Sequence, residues 1–309
     1  MASLKTNTAR HRDATGAGDA FAAMLDRWRG GGPGRTPIIM GIVNVTPDSF
    51  SDGGLFLDAD AAIAQGRRLA EEGAAILDIG GESTRKDAAP VSEEEERRRV
   101  LPVIEALRTT GVLISIDTIK GSVAEAAIDA GAHILNDIRG LQGDPDMAAV
   151  AARRKAGVVA MHNPGLLGSA EALPGDPIRA CRLYFGRTLE IARAAGVGDD
   201  RLVLDPGFGF GKAPEQNFEI LRRLPELNEL GFPVLVGTSR KSFIGRITGR
   251  ESADRLIGTL VTSAIAAMGD AAILRVHDVA AHVEAMQVAA AIRSAGAPAG
   301  PAGLAGPEA

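Results

Sequence analysis

The chain has 309 residues, 45% of them hydrophobic, enough for one large core or two small ones. A formal charge of −5, mixed along the chain, offers no basic surface for nucleic acid, and no apolar run approaches the roughly 18 residues that span a bilayer. A single cysteine excludes an intramolecular disulfide, and the N-terminus lacks the apolar stretch of a secretory signal, so a cytoplasmic enzyme is the expectation.

Residues 1–36 read as a polar, mostly flexible extension ending in Gly30-Gly31-Gly32-Pro33-Gly34, with a short helix over 19–28 capped by Asp19. Residues 296–309 read as a disordered tail rich in Ala, Pro and Gly. Between them, over 37–295, one pattern recurs. Strand-like apolar runs lie at 38–43, 75–79, 112–116, 133–135, 157–161, 202–204, 233–236 and 272–276. Helical patterns follow at 59–72, 93–108, 122–130, 145–155, 177–195, 215–230, 253–268 and 280–292. The charge run over 93–99 sets Glu93, Glu94 and Glu95 four residues before Arg97, Arg98 and Arg99, the spacing of a solvated helix face. Cys181, beside Leu183 and Phe185 in a helical pattern, reads as a buried thiol. Strands alternating with helices in this number predict an α/β chain folded as one domain, a (β/α)8 TIM barrel. An open doubly wound sheet is the competitor. It more often opens on a G-x-G-x-x-G turn, whereas the first turn here is Asn44-Val45-Thr46-Pro47-Asp48.

The residues just past the strands share a character. They are Asn44, Gly80-Gly81-Glu82-Ser83-Thr84-Arg85, Asp117, Asn136-Asp137, His162, Asp205, Gly237 leading to Ser239-Arg240-Lys241, and His277-Asp278 after Arg275. Each alone suits a cap or a turn. In a barrel these ends form one rim, so together they define one mouth. The most informative of them is Asp205, which ends the apolar run Leu202-Val203-Leu204 and opens Pro206-Gly207-Phe208-Gly209-Phe210-Gly211-Lys212. Its glycines let backbone approach a ligand and its phenylalanines offer flat apolar faces.

The rim groups divide in two. Asp117, Asn136 and Asp205 accept and donate hydrogen bonds, as suits a flat heterocycle with an amino group, a ring N–H and a carbonyl. Lys241, Arg275 and His277, with Arg85, suit an anion such as a phosphate or diphosphate, the usual ligand near the last two strands of a barrel. Gly237 and a short helix starting near Ser242 add backbone N–H groups. Asn44 could hold Mg2+ through its carbonyl if diphosphate oxygens complete the shell. His133 falls at the opposite end of the barrel and reads as structural; for His162, a loop-shaping and a site-lining role both stand.

These motifs resemble the dihydropteroate synthases. Met40 through Gly54 is similar to that family's first signature almost letter for letter, and Gly80-Gly81-Glu82-Ser83-Thr84-Arg85 to its second. Ile116-Asp117-Thr118, Asn136-Asp137-Ile138-Arg139, the run from Asp205 to Lys212, Gly237-Thr238-Ser239-Arg240-Lys241-Ser242 and Arg275-Val276-His277-Asp278 follow in the family's order. The resemblance implies a cytoplasmic transferase of folate synthesis, usually a homodimer, that joins 4-aminobenzoate to (7,8-dihydropterin-6-yl)methyl diphosphate. It implies that Asp117, Asn136, Asp205 and Lys241 hold the pterin and that Arg275 and His277 grip the diphosphate. It also implies Mg2+ on Asn44, a 4-aminobenzoate pocket bordered by Thr84, Ser239, Phe210 and Lys241, and closing loops carrying Phe50 and Asp52 and carrying Thr84 and Arg85. Sulfonamides are the inhibitors it implies. One departure stands out: Lys86-Asp87 follows Arg85 where the family usually has Pro-Gly, which bears on loop stiffness and sulfonamide sensitivity. Two other readings remain, a methyltetrahydrofolate-dependent methyltransferase, which needs no diphosphate grip, and a non-catalytic pterin-binding paralogue.

Overall fold

A computed structural model describes residues 16–45, 55–83, 89–163, 165 and 175–295. Its strands are β1 (Ile38–Asn44), β2 (Ile76–Gly80), β3 (Leu113–Asp117), β4 (Ile134–Asp137), β5 (Gly157–Met161), β6 (Leu202–Asp205), β7 (Leu235–Val236) and β8 (Ile273–Val276). All pairs are parallel, in the order β6-β5-β4-β3-β2-β1-β8-β7. Leu204 bridges to Val234, just before β7, and this contact closes the ring. The helices are α1 (Asp19–Gly30), α2 (Leu55–Glu71), α3 (Glu93–Leu107), α4 (Gly121–Ala130), α5 (Pro145–Arg154), α6 (Pro177–Ala195), α7 (Pro214–Arg222), α8 (Leu224–Asn228), α9 (Ser242–Thr248), α10 (Leu256–Met268) and α11 (Val279–Ser294). The expected (β/α)8 barrel is present.

Side chains alternate along each strand, and the two faces meet different partners. Ile39, Leu77, Ile114, Leu135, Val158 and Leu274 face outward and pack in the layer under the helices. Met40, Ile76, Leu113, Ile134, Val159, Val203 and Ile273 turn inward and fill the lower barrel as a second apolar cluster. Continuing up the inner column, β2 presents Asp78 above Ile76, β3 presents Asp117 above Ser115, and β8 presents Arg275 above Ile273. The barrel is therefore greasy below and polar above. Ser92, Asp144 and Asp176 cap α3, α5 and α6 through their side chains, and proline opens α5 and α6 where its missing N–H costs nothing.

Four expectations need correction. The cap of α1 is Gly18, not Asp19, whose carboxylate accepts the Gly16 N–H and pairs with Arg201. Helix α1 is also not a free extension: Phe21 and Leu25 are fully buried against the lower barrel cluster. From Gly16 on, the leading segment is part of the folded body. The helix expected over 215–230 is divided into α7 and α8, because Pro225 cannot donate in a helix interior. In the run over 93–99 only Glu95–Arg99 forms at four-residue spacing; Glu95 also pairs with Arg98. Glu96 is fully buried and pairs with Lys120, which reaches Glu82 as well.

Candidate active site

Register explains why separate strand ends meet. Asn44 aligns with Gly80, Gly80 with Asp117, and Asp117 with Asn136, while Met161 aligns with Asp205. Neighbours in register point the same way, so these groups open into one cup of about 320 Å3. That is the size of a small-ligand site. The cup is lined by Asn44, Asp117, Asn136, Asp205, Phe210, Gly237, Ser239, Lys241, Arg275 and His277. All ten were expected from sequence. Phe50, Asp52, Thr84, Arg85, Lys86 and Asp87 lie outside the described residues. Ile42, Ile138, Met161 and Phe208 supply apolar walls for a flat ring.

Arg275 organises the floor. Its Nε donates to Asp78 Oδ2 at 2.6 Å and its Nη2 to Asp117 Oδ2 at 2.7 Å. Asn136 Nδ2 donates to the same Asp78 oxygen at 2.9 Å. Asp78 is fully buried and is not among the residues lining the cup, yet it bonds two that are. Sequence reasoning passed over it because it sits inside the apolar run Ile76-Leu77-Asp78-Ile79 rather than at its end. The usable signal was the charge itself: a lone carboxylate in a strand buried on both faces must have a partner.

Burial sets the electrostatics. It pushes the Asp117 carboxyl up to about 7, against the pull of Arg275. It raises Asp205 too, although the Gly207 N–H, at 2.7 Å, favours the ionised form. It pulls the Lys241 ammonium down to about 8. Arg275 stays charged despite burial because Asp78 and Asp117 hold it so. His277 is pushed down to about 4 by burial, with Arg240 and Arg275 adding to the effect, so its ring is neutral. Its backbone N–H donates to Ser239 Oγ at 3.2 Å, and the same hydroxyl shares a hydrogen bond with His277 Nδ1 at 2.9 Å. Lys241 stands 4.0 Å over the Phe210 ring, a cation–π pair that fixes both. Just before it, Arg240 takes a left-handed backbone (φ 58°), held by a two-pronged ion pair to Asp278. That turn aims Lys241 inward.

His162 does not line the cup; its ring packs against α6. The ring is buried, pushed down to about 3 by burial, set edge-on to Tyr184, and 3.4 Å from Cys181 Sγ. The thiol is buried as expected and pushed up to about 12. His133 accepts the Ile114 N–H at the far end of the barrel.

Among the described residues no three His, Cys, Asp or Glu side chains gather as a metal cage. The Asn44 amide is exposed to the cup and bonds no described residue. One neutral oxygen beside a cationic rim suits Mg2+, which keeps waters and takes most ligands from substrate.

Comparisons with known proteins agree with the geometry. The family model "Pterin binding enzyme" matches residues 40–277. A dihydropteroate synthase from Synechocystis is 46% identical over 263 residues, covering 84% of this chain and 91% of the relative. The structure of Xanthomonas albilineans dihydropteroate synthase with 4-aminobenzoic acid superposes with a TM-score of 0.79 at 47% identity, covering 84% of this chain and 94% of that one. The same enzyme in complex with 7,8-dihydropteroate gives 0.77 at 45% identity, with 84% and 95% covered.

Proposed function

Since the chain belongs to the pterin-binding enzyme family, among its dihydropteroate synthases, we infer that the cup joins 4-aminobenzoate to (7,8-dihydropterin-6-yl)methyl diphosphate. The products are 7,8-dihydropteroate and diphosphate. The observation that carries this reading is the pairing, in one cup, of a ring-reading floor with a cationic lip.

Asp117, Asn136 and Asp205 face the amino and ring N–H edge of the pterin between apolar walls. A ring lacking those donors would leave buried carboxylates unpaired, at a cost of several kcal/mol in selectivity. Arg275 and His277 receive the diphosphate. The guanidinium Nη1 bonds no described residue and remains for an anion, and the neutral His277 ring stands at the same lip. The methylene C–O bond breaks with its electron pair leaving on diphosphate, and these donors meet the charge as it builds. Asp117, when ionised, stabilises the positive charge that spreads from the methylene into the pterin ring. The aromatic amine then forms the C–N bond and sheds a proton. It is nucleophilic without a general base. Asn44 would hold Mg2+ beside the diphosphate, where the cation would neutralise leaving-group charge. Phe210, Ser239 and Lys241 border the aminobenzoate. Sulfonamides share its shape and compete for that wall.

The functional unit is a homodimer. Ile257, Val261, Ile265 and Met268 stand exposed along one face of α10, and Val288 and Ile292 on the neighbouring α11. A continuous apolar face of this kind is covered in most soluble proteins. Among the described residues no helix is long and apolar enough to cross a membrane.

The test is release of diphosphate on mixing both substrates with Mg2+. Release that requires 4-aminobenzoate and yields dihydropteroate supports the reading. A protein that binds pterin but releases nothing would be the non-catalytic paralogue, and methyl transfer without diphosphate would be the methyltransferase.

A further inference from the structure

Lys212 closes the glycine-rich loop after β6, and no step above uses it. Its ammonium is buried and donates to three backbone carbonyls: Gly207 O at 2.8 Å, Phe210 O at 3.0 Å and His162 O at 3.2 Å. An ammonium carries three N–H groups, so its whole capacity goes to the backbone. Among the described residues no carboxylate lies within ion-pair distance of it. Three carbonyl dipoles aimed at one point repel each other, and the cation is what lets them converge.

Two of these carbonyls belong to the residues that set the cup. Gly207 gives its C=O to Lys212 and its N–H to Asp205 Oδ1 at 2.7 Å. One peptide segment thus joins the lysine to the carboxylate at the pterin edge. Phe210 gives its C=O to Lys212 while its ring lies under Lys241. The third carbonyl, from His162, ties the loop to the end of β5. That approach is close: a Cβ on Gly207, whose φ is +70°, would stand 2.2 Å from His162 O. Only glycine fits there, and the lysine holds the two strand ends at that distance.

We propose that Lys212 is a positioning residue for both substrates, holding the Asp205 carboxylate at the pterin edge and the Phe210 ring at the aminobenzoate wall through the backbone of their shared loop. This rests on the reaction assigned above, so the wild-type protein is first shown to release diphosphate; failure there would refute that reaction, not the role of Lys212. Steady-state kinetics of Lys212→Met, below its measured melting temperature, then read the role. A loop displaced by a fraction of an ångström raises KM for each substrate at least about tenfold. In a Phe210→Ala background, Lys212→Met adds nothing further to the 4-aminobenzoate KM but still raises that of the pterin diphosphate, because the two substitutions share one route to the first substrate only. Unchanged KM values in folded Lys212→Met, or full additivity with Phe210→Ala, would overturn the proposal. Lys212→Gln, which keeps two N–H donors, is read the same way if the methionine variant does not fold. Loss of folding in both would also overturn it, making the lysine a stability element.

Discussion

Arg275 answers to two carboxylates at once, and this decides how the cup is charged near neutrality. With Asp78 and Asp117 both on it, burial still leaves Asp117 raised to about 7, while Lys241 and Lys212 are pulled down to about 8. Below pH 7 Asp117 holds its proton and cannot stabilise a pterin cation. Above pH 8 the lysines lose theirs, and with them a donor to substrate and one bond of the loop. The value of kcat/KM, which reports the free enzyme, is therefore expected to fall on both sides of a narrow maximum between pH 7 and 8. The limbs belong to the cup as a coupled unit. A profile flat from pH 6 to 9 would contradict this. Folding carries the opposite sign. Asp117 contributes stability that is full below its ordinary value of 3.8 and lost as pH rises through 7; Lys241 contributes stability present above 10.5 and lost as pH falls through 8. A neutral-pH cup is thus charged at a cost to the fold, as active sites commonly are.

At the scale of elements, α1 is the clearest surprise. Phe21 and Leu25 lie fully buried beneath the barrel, so the helix seals its lower end. Phe21→Ala is expected to destabilise by about 3–5 kcal/mol, the usual cost of removing a buried phenylalanine. Thermal unfolding checks it, and turnover measured well below the melting temperature should be unaffected, since the cup opens at the other end. An unchanged melting curve would show α1 undocked. The sequence could show that 19–28 is helical but not that it docks, because a segment of ten residues carries no sign of what lies across from it. The strand ends were legible for the opposite reason: an apolar run broken by Asp, Asn or Gly states both where the strand stops and what stands on the rim. Asp78 and Lys212 were not legible. Each acts through a second residue, and only register and loop closure put those residues beside them. The division of α7 from α8 was written in Pro225 and was outweighed by the longer apolar periodicity around it.

For the whole molecule, the exposed face of α10 and α11 is the feature a lone barrel does not explain. Wild-type protein is expected to sediment as two chains, and Val261→Glu, which puts a charge at 54% exposure in the middle of that face, as one folded chain. A wild-type monomer at micromolar concentration would remove the dimer. The barrel itself matters to function because it levels residues that lie far apart in the chain, Asn44 and His277 among them, at one mouth. Asp117→Asn tests that convergence most directly. It keeps size and leaves Arg275 paired with Asp78, so the fold and the cup persist, but the ionised carboxylate facing the pterin ring is gone. The expected result is dihydropteroate formation slowed by at least about a hundredfold, with melting temperature preserved. Turnover near the wild-type rate in that variant would contradict the account.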